Sequence, residues 1–439
     1  MDTTTTAASS KAKSRHDVTV NGRTYRWPRG PTIAVCMDGS EPGYIEAAIA
    51  AGFASNFSRL MREGSNLKAL SVIPSFTNPN NISMITGAPP AVHGIAGNYF
   101  FDPVSGTEVM MNEARFLRAP TIMEAFHAAG AKVAVVTAKD KLRELLGHGL
   151  EMSTGRAIAF SAERADRATK AANGIGDVLA FVGMKLPEVY SADLSEFVFA
   201  AGAKILERDR PDLMYLSTTD YIQHKTGPGT PEANAFYAMI DRYVGRLDAA
   251  GAVLALTADH GMNDKFGSGG APDVLYLQDW FDVRLGTAAA RVILPITDPY
   301  VKHHGALGSF ATVYLPTQTD ATPLLAALRV MEGVELALAR DEASRRFELP
   351  PDRIGDIVVV STRHKVLGTS RDRHDLSGLA GPLRSHGGLA EQTVPMIVNR
   401  KAAVPPSRTL RNFDVFDVAL NLVSCPRSPL PLAANGRDQ

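Results

Sequence analysis

The chain has 439 residues, which exceeds one ordinary core, so we expect a large domain together with an insertion or a second domain. Lysine plus arginine and aspartate plus glutamate both total 46, so the formal net charge is zero and nothing global attracts the protein to nucleic acid or to an anionic membrane. Any affinity for an anionic substrate must be local. The two cysteines, Cys36 and Cys425, are too few for a disulfide framework or a cysteine-based zinc site.

The first sixteen residues are polar and lack the apolar core of a signal peptide, and we expect residues 1–16 to be a disordered leader. No later run approaches the length of a membrane span. A cytoplasmic enzyme is therefore the prediction. Directly after the leader, residues 18–28 are predicted to form a small hairpin around Asn21-Gly22.

Short apolar runs alternate with helical patterns along most of the chain, which predicts an α/β fold with a mostly parallel sheet between helices. The predicted strands are 32–37, 67–73, 132–137, 212–217, 252–257 and 394–399, and the predicted helices include 44–63, 192–208 and 231–249.

The pattern changes between the last two of these strands. Shorter strands are predicted at 273–277, 291–294, 310–315 and 356–361, with a helix near 322–332. The economical interpretation is a core made of residues 17–270 and 376–439, with residues 271–375 inserted as a small α+β cap over the site.

Residues that commonly bind metal ions come from widely separated parts of the chain, and several of them closely follow a predicted strand. The candidates are Asp38, Thr77, Asp220, His224, Asp259, His260 and His386. Ligands in open α/β sheets gather outside the carboxyl ends of the strands, so distant segments can converge there. Three carboxylates, three imidazoles and one hydroxyl suit two Zn²⁺ or similar ions that clamp a phosphoryl group.

Each of these motifs also has an ordinary structural explanation. Asp38-Gly39 after an apolar strand is a common turn, and Asp259-His260-Gly261 could be a capped loop. The spacing of four between Asp220 and His224 places both side chains on one face of a helical turn. Because the motifs occur together at strand ends, a two-metal phosphoryl-transfer enzyme is favoured.

Thr77 is the candidate nucleophile. It precedes Asn78-Pro79, and a helix is predicted to start at Pro79 because proline suits the first helical turn. A helix N-terminus favours negative charge, and metal contact would lower the pKa of the Thr77 hydroxyl further. A helix cap is the alternative for Thr77. Asn98 could donate a hydrogen bond to a phosphoryl oxygen, although an asparagine after Gly97 is also typical of a turn.

Four motifs together resemble the alkaline phosphatase superfamily, in its nucleotide pyrophosphatase/phosphodiesterase branch. They are SFTNPNNISMITGAPPAVHGIAGNYFFD (75–102), CMDGS (36–40), STTDYIQHKTGPG (217–229) and TADHGM (257–262). The resemblance runs over most of residues 30–400. Within that branch, TNPNN followed by HGIAGNYFFD is most similar to the phosphonoacetate hydrolases, which hydrolyse a carbon–phosphorus bond.

The resemblance implies two zinc sites, with Mn²⁺ or Fe²⁺ as possible substitutes. The two ligand sets it implies are Asp220, His224 and His386, and Asp38, Asp259 and His260. It also implies that Thr77 lies between the two ions and forms a phosphothreonine intermediate, and that His224 is close to the substrate.

Carbon–phosphorus cleavage requires a leaving group that can carry negative charge. An unactivated carbanion is prohibitive, whereas an adjacent carboxylate delocalises the charge as an enolate. Lys139 and Lys141 follow a predicted strand and could together bind that carboxylate, although a solvated helix start is the ordinary alternative. Four cap residues are further candidates to close over the substrate: Lys302, His303, Arg363 and His364.

The predicted partner is therefore a small-molecule phosphonate, with neither nucleic acid nor membrane, and a homodimer is compatible with the sequence. A nucleotide pyrophosphatase/phosphodiesterase or another phosphate-ester hydrolase would share every metal residue. A phosphomutase on the related fold would release no free phosphate. A noncatalytic metal-binding protein is disfavoured because Thr77 and all six Asp and His ligands are present.

Overall fold

The structure is a computed structural model that describes residues 16–424 except 103, 268, 299–304, 378 and 380. The predicted leader up to residue 15, Cys425 and two of the cap candidates, Lys302 and His303, lie outside the described residues.

The strands range from two to six residues in length. In chain order they are β1 (Val18–Val20), β2 (Arg23–Tyr25), β3 (Thr32–Cys36), β4 (Ser65–Leu70), β5 (Tyr99–Asp102), β6 (Thr107–Met110), β7 (Val133–Thr137), β8 (Ala157–Ser161), β9 (Leu213–Ser217), β10 (Val253–Thr257), β11 (Asn263–Asp264), β12 (Val274–Tyr276), β13 (Arg291–Ile293), β14 (Phe310–Tyr314), β15 (Val334–Ala339), β16 (Ile357–Ser361), β17 (Val366–Gly368), β18 (Arg384–Ser385) and β19 (Thr393–Val398).

Among the described residues, no helix is both long enough and apolar enough to cross a bilayer. The helices are α1 (Pro42–Ala50), α2 (Ser55–Glu63), α3 (Thr77–Thr86), α4 (Pro90–His93), α5 (Ile122–Ala128), α6 (Asp140–Leu146), α7 (Lys170–Asn173), α8 (Val178–Val182), α9 (Asp193–Asp209), α10 (Tyr221–Lys225), α11 (Pro231–Ala249), α12 (Leu277–Leu285), α13 (Thr322–Arg329), α14 (Arg340–Phe347) and α15 (Val415–Asp417).

A seven-stranded sheet in the order β4-β19-β10-β3-β9-β7-β8 forms the centre of the fold. β19 is antiparallel to both of its neighbours, and the other neighbouring pairs are parallel. Alternate side chains of β3 enter different hydrophobic clusters: Ala34 and Cys36 pack in one, and Ile33 and Val35 pack in the other. This is the two-residue period of a strand that is buried on both faces. The predicted α/β class is confirmed.

Several predicted boundaries were wrong. The predicted helix 44–63 is two helices, α1 and α2, separated by a turn in which Gly52 has a φ of +80°, a conformation that favours glycine. Helix α3 begins at Thr77 rather than at Pro79, so Pro79 lies within its first turn. Strand β8 was not predicted at all. The hairpin of β1 and β2 turns at Asn21 and Gly22, which both have positive φ angles, as predicted.

Residues 271–375 contain a second, antiparallel sheet in the order β13-β14-β16-β15. The predicted strands 291–294, 310–315 and 356–361 correspond to β13, β14 and β16, whereas β15 and the helices α12 and α14 were not predicted. Phe310 and Val358 of this sheet belong to the same hydrophobic cluster as Ala34 of the central sheet. The domain boundaries and the role of the segment as a cap remain predictions.

A buried ion pair links the residue after β11 and the loop after β18 to this antiparallel sheet. The side chains of Lys265 and Glu391 are both 0% exposed, and Lys265 Nζ lies 2.8 Å from Glu391 Oε1. Nζ also donates to Ser309 Oγ at 2.8 Å and to the Arg363 carbonyl at 2.6 Å, while Glu391 Oε2 accepts from the Gly388 N–H at 2.9 Å. Both charges are therefore hydrogen-bonded on several sides, which a buried pair requires.

We predict that Lys265→Met lowers the free energy of unfolding by about 3–5 kcal/mol, because it leaves the Glu391 carboxylate buried without a cation. Urea-induced unfolding measures this. The matched control is Lys365→Met, which removes a lysine paired with Asp273 at 2.8 Å in a more exposed position. That change should cost about 1 kcal/mol or less. Equal losses for the two variants would contradict the prediction.

Candidate metal centre and active site

Four candidate residues lie side by side at one edge of the central sheet. Asp259, Asp38, Asp220 and Lys139 follow the carboxyl ends of β10, β3, β9 and β7, which are consecutive neighbours in the sheet. Parallel strands that end at the same edge bring their following loops together. The convergence predicted from the sequence is therefore a direct result of strand order.

The turn after β3 brings three of the acidic loops into contact. The Asp38 N–H donates to Thr218 Oγ1 at 3.0 Å, and the Gly39 N–H donates to Asp259 Oδ1 at 3.2 Å. Gly39 has a φ of +70°, and a Cβ atom at this position would lie 2.8 Å from Asp220 Cβ. Only glycine allows both this conformation and this close approach.

One group of potential metal ligands consists of Asp220, His224 and His386, whose ligand atoms all lie within 4.8 Å of one another. Asp220 Oδ2 lies 2.9 Å from His224 Nε2 and 3.7 Å from His386 Nε2. Asp220 immediately precedes helix α10, and one helical turn carries His224 back toward it, as the spacing of four predicts.

A second group consists of Asp38, Asp220 and His260. His260 Nε2 lies 3.3 Å from Asp38 Oδ1 and 3.6 Å from Asp259 Oδ2. His260 Nε2 thus lies near both carboxylates of the predicted set of Asp38, Asp259 and His260, and Asp220 belongs to both groups. The assignment of the ligands to two ions remains a prediction.

The three histidines share one arrangement. Each uses its Nδ1 atom to donate to a backbone carbonyl: His224 to Arg384 at 2.8 Å, His260 to Gly261 at 2.9 Å and His386 to Ser75 at 2.8 Å. Because a carbonyl can only accept, each Nδ1 carries the proton and each Nε2 is left with a lone pair in the neutral ring. This is the tautomer that binds a metal through Nε2.

Packing within the cluster also favours neutral imidazoles. The rings of His260 and His386 are stacked, with centroids 3.5 Å apart and an interplanar angle of 7°. Burial lowers the pKa of His386 well below its usual value, and the neighbouring His260 and His224 rings act in the same direction. The neutral His386 imidazole is therefore favoured, and its Nε2 atom is a ligand atom rather than a source of positive charge.

The residues present fit divalent cations. Asp38 Oδ1 and His260 Nε2 are buried and have no hydrogen-bond partner among the described residues, although such atoms are normally satisfied. Burial raises the pKa of Asp38 well above its usual value, and the Asp220 and Asp259 carboxylates raise it further. Burial likewise raises the pKa of Asp259 to about 7. Several buried carboxylates need positive charge nearby, and the mixed carboxylate and imidazole donors suit Zn²⁺.

Thr77 lies at the start of helix α3, half-buried, and lines one cavity together with members of both ligand groups. The complete described lining is Asp38, Thr77, Asn98, Thr137, Lys139, Lys141, Leu142, Thr218, Asp220, His224, Ile296, Asp298 and His386. The structure thus brings the predicted nucleophile, both predicted lysines and Asn98 to the same space as the candidate metal ligands. Arg363 and His364 are not part of this lining.

Asn98 is oriented by its neighbour. Its Oδ1 atom accepts from the Asn78 N–H at 2.9 Å, in the first turn of helix α3. The amide NH₂ is therefore the end that can donate to a group in the cavity. The Asn98 N–H also donates to the Pro295 carbonyl at 2.9 Å, which ties this loop to the inserted segment.

Lys139 and Lys141 lie at the start of helix α6. Burial lowers the pKa of Lys139, and the neighbouring Lys141 ammonium lowers it further. Lys141 Nζ lies 2.5 Å from Asp298 Oδ2, so one of the two predicted substrate lysines already has an anionic partner.

Sequence reasoning missed Asp298 and the buried Thr137. Asp298 lies in the inserted segment beyond β13, where no local pattern distinguishes it from a surface turn. Thr137 ends β7, directly before the lysine segment, and its hydroxyl is buried without a hydrogen-bond partner among the described residues. A polar residue at the carboxyl end of a core strand was the available signal for Thr137.

A family model described as type I phosphodiesterase/nucleotide pyrophosphatase matches residues 32–388. The chain belongs to this family. Two solved structures of phosphonoacetate hydrolase from Sinorhizobium meliloti 1021, in complex with phosphonoformate and with phosphonoacetate, are each 60% identical to the chain. The match covers 94% of this chain and 100% of those chains, with a TM-score of 0.91. The predicted resemblance is confirmed.

More distant relatives agree with this family. A phosphonoacetate hydrolase of Penicillium oxalicum is 54% identical over 41 residues, which is 9% of this chain and 57% of that protein. An uncharacterized pyrophosphatase/phosphodiesterase of Schizosaccharomyces pombe is 24% identical over 230 residues, 49% of this chain and 39% of that protein. The matches thus span 39–57% of the length of these curated relatives. Murine ectonucleotide pyrophosphatase/phosphodiesterase 5 shares the fold, with a TM-score of 0.60 at 17% identity over 90% of this chain and 96% of that one.

We predict that purified protein carries about two divalent ions per chain, and that His224→Ala and His260→Ala each lower the content to about one, because the two histidines belong to different ligand groups. Elemental analysis after gel filtration measures this. The control is His148→Ala, which changes an exposed histidine outside the cavity and should keep the wild-type content. If either single variant lost both ions, or if both variants kept two ions, the two sites would not be separable as predicted.

Proposed function

We propose that the protein is a phosphonoacetate hydrolase that cleaves the carbon–phosphorus bond of phosphonoacetate to acetate and phosphate through a phosphothreonine intermediate. One observation carries the proposal. The same cavity is lined by Thr77 with the metal-ligand groups and by Lys139 with Lys141, in a chain 60% identical to structures of a phosphonoacetate hydrolase.

Two zinc ions would be held by the residues described above, with Asp220 between the two groups and Asp259 completing the second. When bound, the ions supply positive charge that lowers the pKa of the attacking hydroxyl and compensates the phosphoryl oxygens. The same carboxylate and imidazole donors could also bind Mn²⁺ or Fe²⁺ in place of zinc.

Thr77 then acts as the nucleophile. Its hydroxyl gives its proton to solvent, Oγ1 attacks phosphorus to form a new oxygen–phosphorus bond, and the carbon–phosphorus bond breaks with its electron pair going to the methylene carbon. The start of helix α3 stabilises negative charge on Oγ1, and the Asn98 NH₂ group donates to a phosphoryl oxygen. Water afterwards hydrolyses the phosphothreonine, which releases phosphate and restores Thr77.

Lys139 and Lys141 bind the carboxylate of the leaving group. As the carbon–phosphorus bond breaks, acetate leaves as its enolate and the carboxylate oxygens become more electron-rich, so ammonium groups stabilise this state more than the bound substrate. The enolate then takes a proton from solvent. His224, which lines the cavity as well as one ligand group, completes the set of substrate-facing residues.

The nucleotide phosphodiesterase alternative requires a surface on which a nucleoside base can stack. Among the described residues that line the cavity, none is phenylalanine, tyrosine or tryptophan. A small anionic substrate is therefore the better match. We further propose that the inserted segment 271–375 covers this substrate, since Ile296 and Asp298 line the cavity, and that the enzyme acts in the cytoplasm on a free phosphonate.

The experiment that tests the function follows acetate and phosphate together after zinc-loaded protein is mixed with phosphonoacetate. Equal amounts of both products are expected, at a kcat/KM well above that for a nitrophenyl nucleotide ester. Turnover of the nucleotide ester alone would overturn the proposal in favour of a phosphodiesterase, and phosphonoacetate consumption without free phosphate would favour a phosphomutase.

We expect Thr77→Ala to abolish turnover while leaving the metal content close to that of the wild type, because six Asp and His ligands remain. Thr77→Ser keeps a hydroxyl and should retain part of the activity. The rates and metal contents of both variants are measured in parallel. A Thr77→Ala enzyme with most of its rate would show that water attacks phosphorus directly.

We expect Lys139→Ala to lower kcat/KM for phosphonoacetate roughly 10- to 150-fold, the equivalent of a charge-assisted hydrogen bond of about 1.5–3 kcal/mol, with part of the loss in kcat. An aryl phosphate ester, whose leaving group lacks the carboxylate, should be far less affected. Lys132→Ala, at an exposed lysine beside the same strand, is the control. Equal losses on both substrates would mean that Lys139 serves general phosphate attraction.

A further inference from the structure

Asp298 places a carboxylate in the wall of the cavity that carries the two lysines. Its side chain is 2% exposed, and its Oδ2 atom lies 2.5 Å from Lys141 Nζ, which is itself only 17% exposed. Solvent screens a pair in this position much less than a surface ion pair. The pair also joins the inserted segment to the segment after β7.

The charges that line the cavity fall into two sets. Asp38 and Asp220 belong to the metal-ligand groups, where divalent cations would offset them. Among the other described lining residues, the charged side chains are Lys139, Lys141 and Asp298. Two ammonium groups and one carboxylate leave one formal positive charge in this second set.

Among the described lining residues, the single positive charge of this set matches a leaving group with one carboxylate. A leaving group with a second phosphonate or phosphate carries more negative charge, and part of it would stay uncompensated in a buried site. Asp298 also occupies one of the three N–H donors of Lys141, which fixes the position of that ammonium group. The carboxylate thus both positions a lysine and limits the charge of the subsite.

We propose that Asp298 is a specificity-determining residue that makes the subsite of Lys139 and Lys141 select a leaving group bearing one carboxylate over one bearing a second phosphoryl group. The inference rests on the proposed function, since it concerns the group that leaves when Thr77 attacks phosphorus. Lys139 and Lys141 attract the carboxylate of the leaving group, and Asp298 disfavours a leaving group with a second phosphoryl group.

The test compares the binding of two ligands in zinc-buffered solution. Phosphonoacetate and methylenediphosphonate differ in the group attached to the same methylene carbon, and calorimetry on zinc-loaded Thr77→Ala protein gives a Kd for each. Asp298→Asn keeps the side-chain size and removes the negative charge. We expect the Kd ratio of methylenediphosphonate to phosphonoacetate to fall at least about tenfold in this variant, the size of a modest charge effect.

Two further variants make the result specific to charge at this position. Asp298→Glu keeps the charge and should leave the ratio within about threefold of its starting value, well below the shift expected from a lost charge. Asp273→Asn removes the carboxylate of another lysine pair, that with Lys365 in the same inserted segment but outside the cavity lining, and should leave the ratio unchanged. An unchanged or increased ratio in Asp298→Asn would overturn the proposal. Equal shifts of the Kd ratio in Asp298→Asn and Asp298→Glu would also overturn it, because the shape of the side chain rather than its charge would then determine the selectivity.

Failure of the proposed function gives a different result from failure of this inference. If wild-type protein released no acetate and phosphate from phosphonoacetate, the function would be wrong whatever the binding ratios. If wild-type turnover is normal and the ratio does not respond to Asp298→Asn, the role of Asp298 alone is wrong.

Discussion

The rest of the site depends on one electrostatic constraint: three carboxylates, those of Asp38, Asp220 and Asp259, are buried together at the carboxyl ends of adjacent strands. Charges in such a place need compensation. Each neighbouring imidazole donates Nδ1–H to a backbone carbonyl and faces the carboxylates with Nε2, the atom that binds a cation in the neutral ring. Divalent cations bound by these donors would compensate the carboxylates, and Thr77 lines the same cavity.

Several contacts in the surrounding structure position the buried carboxylates, the histidines and Thr77. Gly39 allows the turn after β3 to contact Asp220, and helix α3 presents its N-terminus at Thr77. The Lys265–Glu391 pair ties the residue after β11 to the loop that follows His386 and to the antiparallel sheet of residues 271–375. Lys265 follows His260 and Glu391 follows His386 in the chain, so the buried pair connects segments that carry candidate ligands of both groups.

Much of this could be predicted from the sequence because strand ends are local features. Asp38, Asp220 and Asp259 each follow a short apolar run, and parallel strands impose convergence whatever the detailed packing. The proximity of Asp220 to both groups of candidate ligands was less predictable, since it depends on how closely the loops after β3 and β9 approach each other. Helix 44–63 was predicted as continuous because its apolar pattern persists through the Gly52 turn. Asp298 had no local signal, because its importance comes only from Lys141, a residue far away in the chain.

We infer that the two ligand groups hold two metal ions through Nε2 of the histidines, next to Thr77. Crystals of zinc-loaded protein, with diffraction data collected on both sides of the zinc absorption edge, test this inference. Two anomalous peaks are expected, one contacted by His224 and His386 and the other by His260, with Asp220 between them and Thr77 Oγ1 close to both. A single peak, coordination through Nδ1, or peaks away from Thr77 would contradict it.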